Sequence, residues 1–428
     1  MQKTDKSTKI SRRSALKQLG ASTALAGASS VLGAPMIWAQ GIKDVTLLHL
    51  GPSYSAFPDM VAKASEDLGF KVEMQNAWTD GIMARVVNQP DTVDIADLEF
   101  WATQRVWPRG NMQPIDISRI ENWGKIIPIF RDGKNFDGSQ MSTQGTLPFE
   151  VQYVNGEGGL ASGATDQASI IPTIYNADTL GIRPDLIGRD VDSWAELLNP
   201  EFAGKTALIN VPQIGIMDAA MAIEARGDIT YGDKGNMTPD EIDKTIAILI
   251  DLKKAGHFRA FWSSFDESVN FMAGGEVVIQ SMWSPAVTAV RSRGIDCEYR
   301  GLSEGYRGWG NGLGMMGHLD GLKRDAAYEY MNWMLSGEYG AFVARQGYYG
   351  TVPETTKEAL SAAEWDYWYE GKPAAVEIQD PFGGVMEQPG RARDGGTFEQ
   401  RVGGITAWNT LMDEGQYLVE RWNEFVAS

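Results

Sequence analysis

Acid–base, metal and nucleophilic chemistry each need certain side chains at certain spacings. The three histidines, His49, His257 and His318, are far apart in sequence. None sits in the paired-histidine helix motif of zinc proteases, and each reads as a structural histidine. No Gly-x-Ser-x-Gly nucleophile elbow occurs. The run Gly308-Trp309-Gly310-Asn311-Gly312-Leu313-Gly314 lacks the third-glycine spacing of the dinucleotide fingerprint and any Gly-Lys-Ser/Thr phosphate loop. It reads instead as a strand whose backbone approaches a neighbour closely. Carboxylates are plentiful, but none is paired by context, so spacing alone leaves a glycosidase pair open. Cys297 is the one cysteine, which excludes an internal disulfide and a multi-cysteine metal site and reads as a small buried hydrophobe. No metal site and no cofactor are expected.

Aromatic residues carry the stronger signal. There are 14 tryptophans, and aromatics make up 10% of the chain. Several stand beside turn residues: Tyr54 after Gly51-Pro52-Ser53, Phe100 and Trp101 after an acidic strand, Trp262 before Ser263-Ser264, Trp283 at a strand end, and Tyr306 and Trp309 in the glycine run. Aromatic faces in a cleft bury organic ligands and attract cations through their quadrupoles. Any one of these rings is equally at home in a core. As a set they favour binding, because open α/β sheets place ligands at strand ends.

The elements that would position them are legible by pattern. Lys43 to Leu50 reads as a buried strand entering a Gly51-Pro52 loop. Phe57, Met60, Val61, Ala64 and Leu68 follow at helical spacing before Gly69, and Phe70 to Met74 resumes as a strand. This β-α-β opening predicts an α/β protein. Ser193-Trp194-Ala195-Glu196 and Thr238-Pro239-Asp240-Glu241 read as capping boxes, with strands at Lys205 to Asn210 and Glu276 to Met282. Helices are expected at about Asp325 to Leu335, Glu338 to Gln346, and Phe398 to Val426. The aperiodic stretch 131–167 reads as a rim or linker insertion, and 381–396 as an irregular excursion.

The whole chain carries 38 basic and 56 acidic residues, a net charge of −18. Ser11-Arg12-Arg13-Ser14, a mildly apolar stretch from Leu19 to Pro35 and Ala39 together read as an export signal over 1–39, cut after Ala39. The paired arginines fit a twin-arginine route, with Ala15 where a bulky Phe is usual; the general secretory route is the alternative. Residues 1–39 hold six basic residues and one acidic, so the remainder carries 32 basic and 55 acidic residues, a net charge of about −23. So acidic a surface repels phosphate and anionic headgroups, which excludes nucleic acid and membrane surfaces as main partners. Beyond Ala39 no stretch approaches the roughly 20 apolar residues of a membrane span. A soluble periplasmic protein is expected.

Ser193 to Lys205 (Ser-Trp-Ala-Glu-Leu-Leu-Asn-Pro-Glu-Phe-Ala-Gly-Lys), Gly275 to Ser284 (Gly-Glu-Val-Val-Ile-Gln-Ser-Met-Trp-Ser), and Ala327 to Leu335 followed by Gln346 to Glu354 (Gln-Gly-Tyr-Tyr-Gly-Thr-Val-Pro-Glu) carry a likeness to a known family. On these segments the chain resembles the periplasmic solute-binding proteins of ABC importers, in particular the polyamine (spermidine/putrescine)-binding branch. The resemblance spans essentially the whole chain after the export signal. It implies the two-lobe periplasmic binding protein fold of type II, each lobe a mixed sheet flanked by helices, with a ligand cleft at the hinge. The lobes are expected at 41–169 plus 284–325 and at 170–283 plus 326–428. It further implies a small organic solute as ligand, an inner-membrane ABC permease as partner, a monomer, and no reaction. The family's aromatic ligand walls fall at Tyr54, Trp101, Trp262, Trp283 and Trp309, with Gln213, Ser264, Ser284 and Asn311 orienting polar groups.

The carboxylates that grip ammonium groups in polyamine binders are replaced at the matching positions by Ser284-Pro285-Ala286, by Val211 to Gly215, and by Asn311. A buried ammonium without a carboxylate costs several kcal/mol. The expectation is therefore a ligand with less exposed positive charge, such as a quaternary amine or zwitterion. Asp94, Asp97, Glu99 and Asp266 are possible substitutes, each also fitting a surface or helix-cap role. Two alternatives stand beside this reading. One is an exported enzyme acting on a carbohydrate or ester. The other is a metal or oxyanion binder using Tyr348-Tyr349 with Arg291, Arg300 and Arg307, although these arginines read as surface residues.

Overall fold

The computed structural model describes residues 41–428, so the export signal expected over 1–39 lies outside the described residues. Strand β1 (Thr46–Gly51) pairs in parallel with β2 (Lys71–Asn76) and with β3 (Ile95–Glu99). Between β1 and β2 runs the helix Pro58–Leu68, which starts on proline, buries Val61 and Ala64, and ends on Gly69 at φ 73°. Only glycine takes that left-handed closing position without strain. The expected β-α-β opening is thus present.

The remaining main strands are β4 (Ile171–Ile182), β5 (Thr206–Ile209), β6 (Phe258–Trp262), β7 (Ile279–Met282), β8 (Tyr306–Met316) and β9 (Ile405–Trp408). They connect in the order β2-β1-β3-β8-β4-β7-β5-β6, with β9 beside β8. β8 runs antiparallel to β3 and β4, whereas β5 is parallel to β6 and β7. All eleven residues of β8 are buried, as the glycine run suggested. A Cβ on Gly310 would sit 2.9 Å from the Phe100 ring and one on Gly312 2.8 Å from the Ile171 carbonyl oxygen. The glycines let neighbouring strands and helices close on the backbone.

Hydrophobic side chains gather in one large cluster and two smaller ones. The large cluster joins β1, β2, β3, β8 and the first half of β4. The smaller clusters join Leu180 and Ile182 of β4 to β5, β6, β7 and the helices after them. Two α/β lobes result, and β4 runs from one into the other.

The clusters group several segments across the expected boundaries. Ala286, Val287, Val290 and Tyr299 pack with Trp262 in the second lobe, while Ala326 to Trp368 and Phe398 belong to the first. The reason is packing: the helix Gly321–Met334 lays Tyr330 edge-on to His49 of β1. The expected final helix over Phe398 to Val426 is broken into a helix Phe398–Gly403, strand β9 and a helix Gly415–Ala427. Gly403-Gly404 ends the first helix, and Ile405 to Trp408 then pairs in parallel with β8. Residues 131–167 are no loose insertion either, since Val151, Tyr153, Val154 and Ala161 lie in the large cluster. Ser193 caps only a 3-10 turn, Trp194–Leu198, because Glu196 turns to Arg189 (2.7 Å) instead of closing the box. Thr238 and Glu241 do close theirs.

Candidate functional site

A cleft of about 830 Å³ opens between the lobes. Its walls are the segments that follow the carboxyl ends of β1, β2, β3, β5, β6 and β7, where an open α/β sheet leaves its crevice. On the first lobe, Tyr54 packs edge-on against Trp309 (centroids 5.3 Å apart), and Trp309 against Tyr348 (5.4 Å). Trp78, after β2, stands 6.4 Å from Tyr54 and is 60% exposed. On the second lobe, Trp283 directly follows β7 and Phe265 opens the helix after β6. Phe382, in the excursion 381–396, is 72% exposed at the rim.

The floor is charged. Glu99, the last residue of β3, accepts hydrogen bonds from Trp101 Nε1 (2.9 Å), Asn409 Nδ2 (3.1 Å), Thr79 Oγ1 (3.2 Å) and Tyr54 OH (3.4 Å). Burial raises its pKa, and these donors offset part of that rise. Arg307 of β8 donates to Asp218 Oδ1 (2.7 Å), Asp178 Oδ2 (3.3 Å) and Asn409 Oδ1 (2.7 Å). Burial pushes Asp178 up to about 6, against the pull of Arg307 and of the Tyr299 hydroxyl. It raises Asp218 as well, again against Arg307. One guanidinium thus serves two carboxylates, and Glu99 has only neutral donors in hydrogen-bond contact. Asp80, Asp266 and Asp380 add further acidic groups to the lining. The cleft can bury flat or alkylated organic groups and favours positive charge.

Of the nine residues expected at the site, Tyr54, Trp101, Gln213, Trp283 and Trp309 line the cleft. Four do not. Trp262 is fully buried and backs Trp283 edge-on at 4.8 Å, one layer behind the wall. Ser264 caps the helix Phe265–Gly274 by accepting from Glu267 N. Ser284 is buried with its hydroxyl on the Gly347 carbonyl (3.0 Å). Asn311 is buried beneath the floor and donates to Asp97 Oδ1 (2.9 Å).

The arginines expected at the surface are also corrected in part: Arg307 and Arg291 are buried in ion pairs, whereas Arg300 is part-exposed. Of the proposed acidic substitutes, Glu99 and Asp266 line the cleft, while Asp94 and Asp97 lie buried away from it. Asp178, Trp78 and Asn409 were missed. Asn176 and Asp178 are strongly polar residues two apart in a fully buried strand, which is the pattern of one strand face turned to something polar. Trp78-Thr79 obeys the strand-end rule already applied to Trp101. Among the described residues no group of three or more His, Cys, Asp or Glu could hold a metal ion, and no helix is long and apolar enough to cross a membrane.

Two α/β lobes around an aromatic, acidic cleft define a protein that encloses a small solute. A family model described as bacterial extracellular solute-binding protein matches residues 59–370, and the chain belongs to that family. Membership favours capture of a solute over the exported-enzyme alternative. The fold is similar to that of a putative spermidine/putrescine ABC transporter from Listeria monocytogenes (TM-score 0.63, 16% identity, covering 89% of this chain and 98% of that one). It is similar as well to a spermidine/putrescine ABC transporter substrate-binding protein from Streptococcus pneumoniae (0.56, 16%, 89% and 99%). The PBP MotA from A. tumefaciens B6 in complex with glucopine matches equally (0.56, 16%, 89% and 99%). No curated protein sequence matches the chain.

Proposed function

We propose that the protein is the periplasmic substrate-binding subunit of an ABC importer, and that its solute is a small organic molecule carrying a cationic amine. The observation that carries this reading is the composition of the cleft: aromatic walls from both lobes over a floor where Glu99 and Asp178 outnumber Arg307, which Asp218 engages from behind the lining. Stacking on Tyr54, Trp101, Trp283 and Trp309 would hold the body of the solute, and Glu99 would face its charge. Gln213, near the start of the helix Pro212–Ala225, supplies an amide to a polar group.

Capture is reversible closure. Residues 41–177 with 306–406 form one lobe and 178–305 with 409–428 the other, Ala407 and Trp408 facing opposite clusters at the crossing. Ligand contacts made by both lobes stabilise the closed form that the permease recognises. The protein acts as a monomer, performs no reaction, and reaches the periplasm through the segment 1–39.

The test is calorimetric titration of the ligand-free protein with spermidine, putrescine, choline, glucopine and, as a neutral control, glucose. At least one cationic amine is expected to bind saturably at one site, and Trp283→Ala is expected to weaken that binding by roughly 1 to 3 kcal/mol. Binding of glucose alone, or an unchanged affinity in Trp283→Ala, contradicts the reading.

A further inference from the structure

A second cavity, of about 20 Å³, lies on the seam between the lobes. Ser284, Thr288 and Tyr299 line it from the second lobe, and Trp368, Arg393 and Arg401 from the first. Thr288 lines the main cleft too. The cavity is far too small for an organic solute. It has room for one occupant of about a water molecule's size.

Three buried guanidiniums surround it, and they share two carboxylates. Arg291 takes both: Asp394, and Glu387 at 3.4 Å. Arg393 has only carbonyl acceptors, Trp368 O (2.7 Å) and Gly347 O (3.2 Å), and lies between the rings of Trp368 and Tyr349 at 4.6 and 4.7 Å. Arg401 likewise donates to three carbonyls, on Tyr299 (3.3 Å), Asp394 (3.2 Å) and Ala177 (3.0 Å), beside the rings of Tyr299 and Tyr306. Carbonyl dipoles and ring faces offset part of the cost of burying these ions, but one positive charge is left without a counter-charge. Such an imbalance is costly in a buried site. Two donors are also left over: Arg401 Nε and Trp368 Nε1 are buried without a hydrogen-bond partner among the described residues, in side chains 1% and 3% exposed.

We propose that this seam cavity binds a single small monovalent anion of the chloride class. Its volume excludes phosphate, sulfate and carboxylates. The surplus positive charge selects an anion over water, and the two free N–H groups supply its hydrogen bonds. The anion joins Trp368 and Arg401 of the first lobe to the helix Ser284–Arg291 of the second. The start of that helix carries Pro285 and Thr288 into the main cleft directly after Trp283. Anion occupancy therefore steadies one wall of the cleft, and by linkage the solute and the anion strengthen each other's binding.

The test uses the ligand-free full protein. Crystals grown with bromide in place of chloride are expected to show an anomalous peak in this cavity. The melting temperature is expected to rise saturably with chloride at an ionic strength held constant with gluconate, as mass action requires. Trp368→Phe keeps a ring over Arg393 and removes one N–H, and it is expected to weaken chloride about threefold to tenfold, the value of one hydrogen bond. A bromide map with only water in the cavity overturns the proposal. So does a melting temperature indifferent to chloride, or a chloride response identical in Trp368→Phe.

Discussion

In the proposed capture of a cation, the side chain that faces the charge is Glu99. Its two oxygens accept from four neutral donors on four segments, which fix the carboxylate without neutralising it. Burial raises the pKa of Glu99 and places Asp178 at about 6 instead of the ordinary 3.8. A carboxylate raised in this way is protonated more readily in the folded protein than in the unfolded chain. Its contribution to folding is therefore fully present below 3.8 and is lost as the pH rises through about 6. Cation binding runs the other way, because only the ionised carboxylates attract it. Affinity for the best amine of the titration series is expected to be steady above about pH 7 and to fall by up to about tenfold per pH unit below about 6. Glu99→Gln keeps an acceptor oxygen but not the charge. It is expected to weaken binding at neutral pH by roughly 1.5–3 kcal/mol and to flatten the profile. An affinity unchanged between about pH 5 and 7.5 in the unaltered protein would remove the carboxylates from recognition.

At the scale of elements, β8 shows how one strand serves packing and site together. Gly308, Gly310, Gly312 and Gly314 occupy one face where neighbours press on the backbone, and Arg307, Trp309 and Asn311 occupy the other. Gly310→Ala would drive a methyl group into the Phe100 ring at 2.9 Å and against Tyr175 Cβ at 3.2 Å. Denaturant unfolding is expected to show a loss of roughly 1–3 kcal/mol, the usual cost of overpacking; a neutral substitution would refute the packing role. Local signals of this kind were legible in the sequence: the glycine run, the opening β-α-β unit, the Thr238 cap, and tryptophans at strand ends. Signals that depend on distant partners were not. Arg307 reads as a surface residue until Asp178 and Asp218, 129 and 89 residues away, are folded against it. Trp262 and Trp283 look alike in sequence, and only packing decides that one backs the other. The packing of residues 326–368 with the first strands depends on distant partners in the same way.

For the whole molecule, an acidic chain of net charge −18 encloses an acidic cleft, so long-range and local fields both draw in cations. Exposed Trp78 on one lobe, Phe265 on the other and Phe382 on the excursion stand around the mouth. Closure over a solute would cover them and contribute to the binding energy. This enclosure is proposed to capture a positively charged organic molecule and return it unaltered, which native mass spectrometry of the protein purified directly from its host can check. A one-to-one complex is expected, whose partner, released by denaturation, is a small amine-bearing cation of a mass unchanged after incubation with fresh protein. Release of a neutral or anionic partner, or conversion of the partner to a species of different mass, would contradict it.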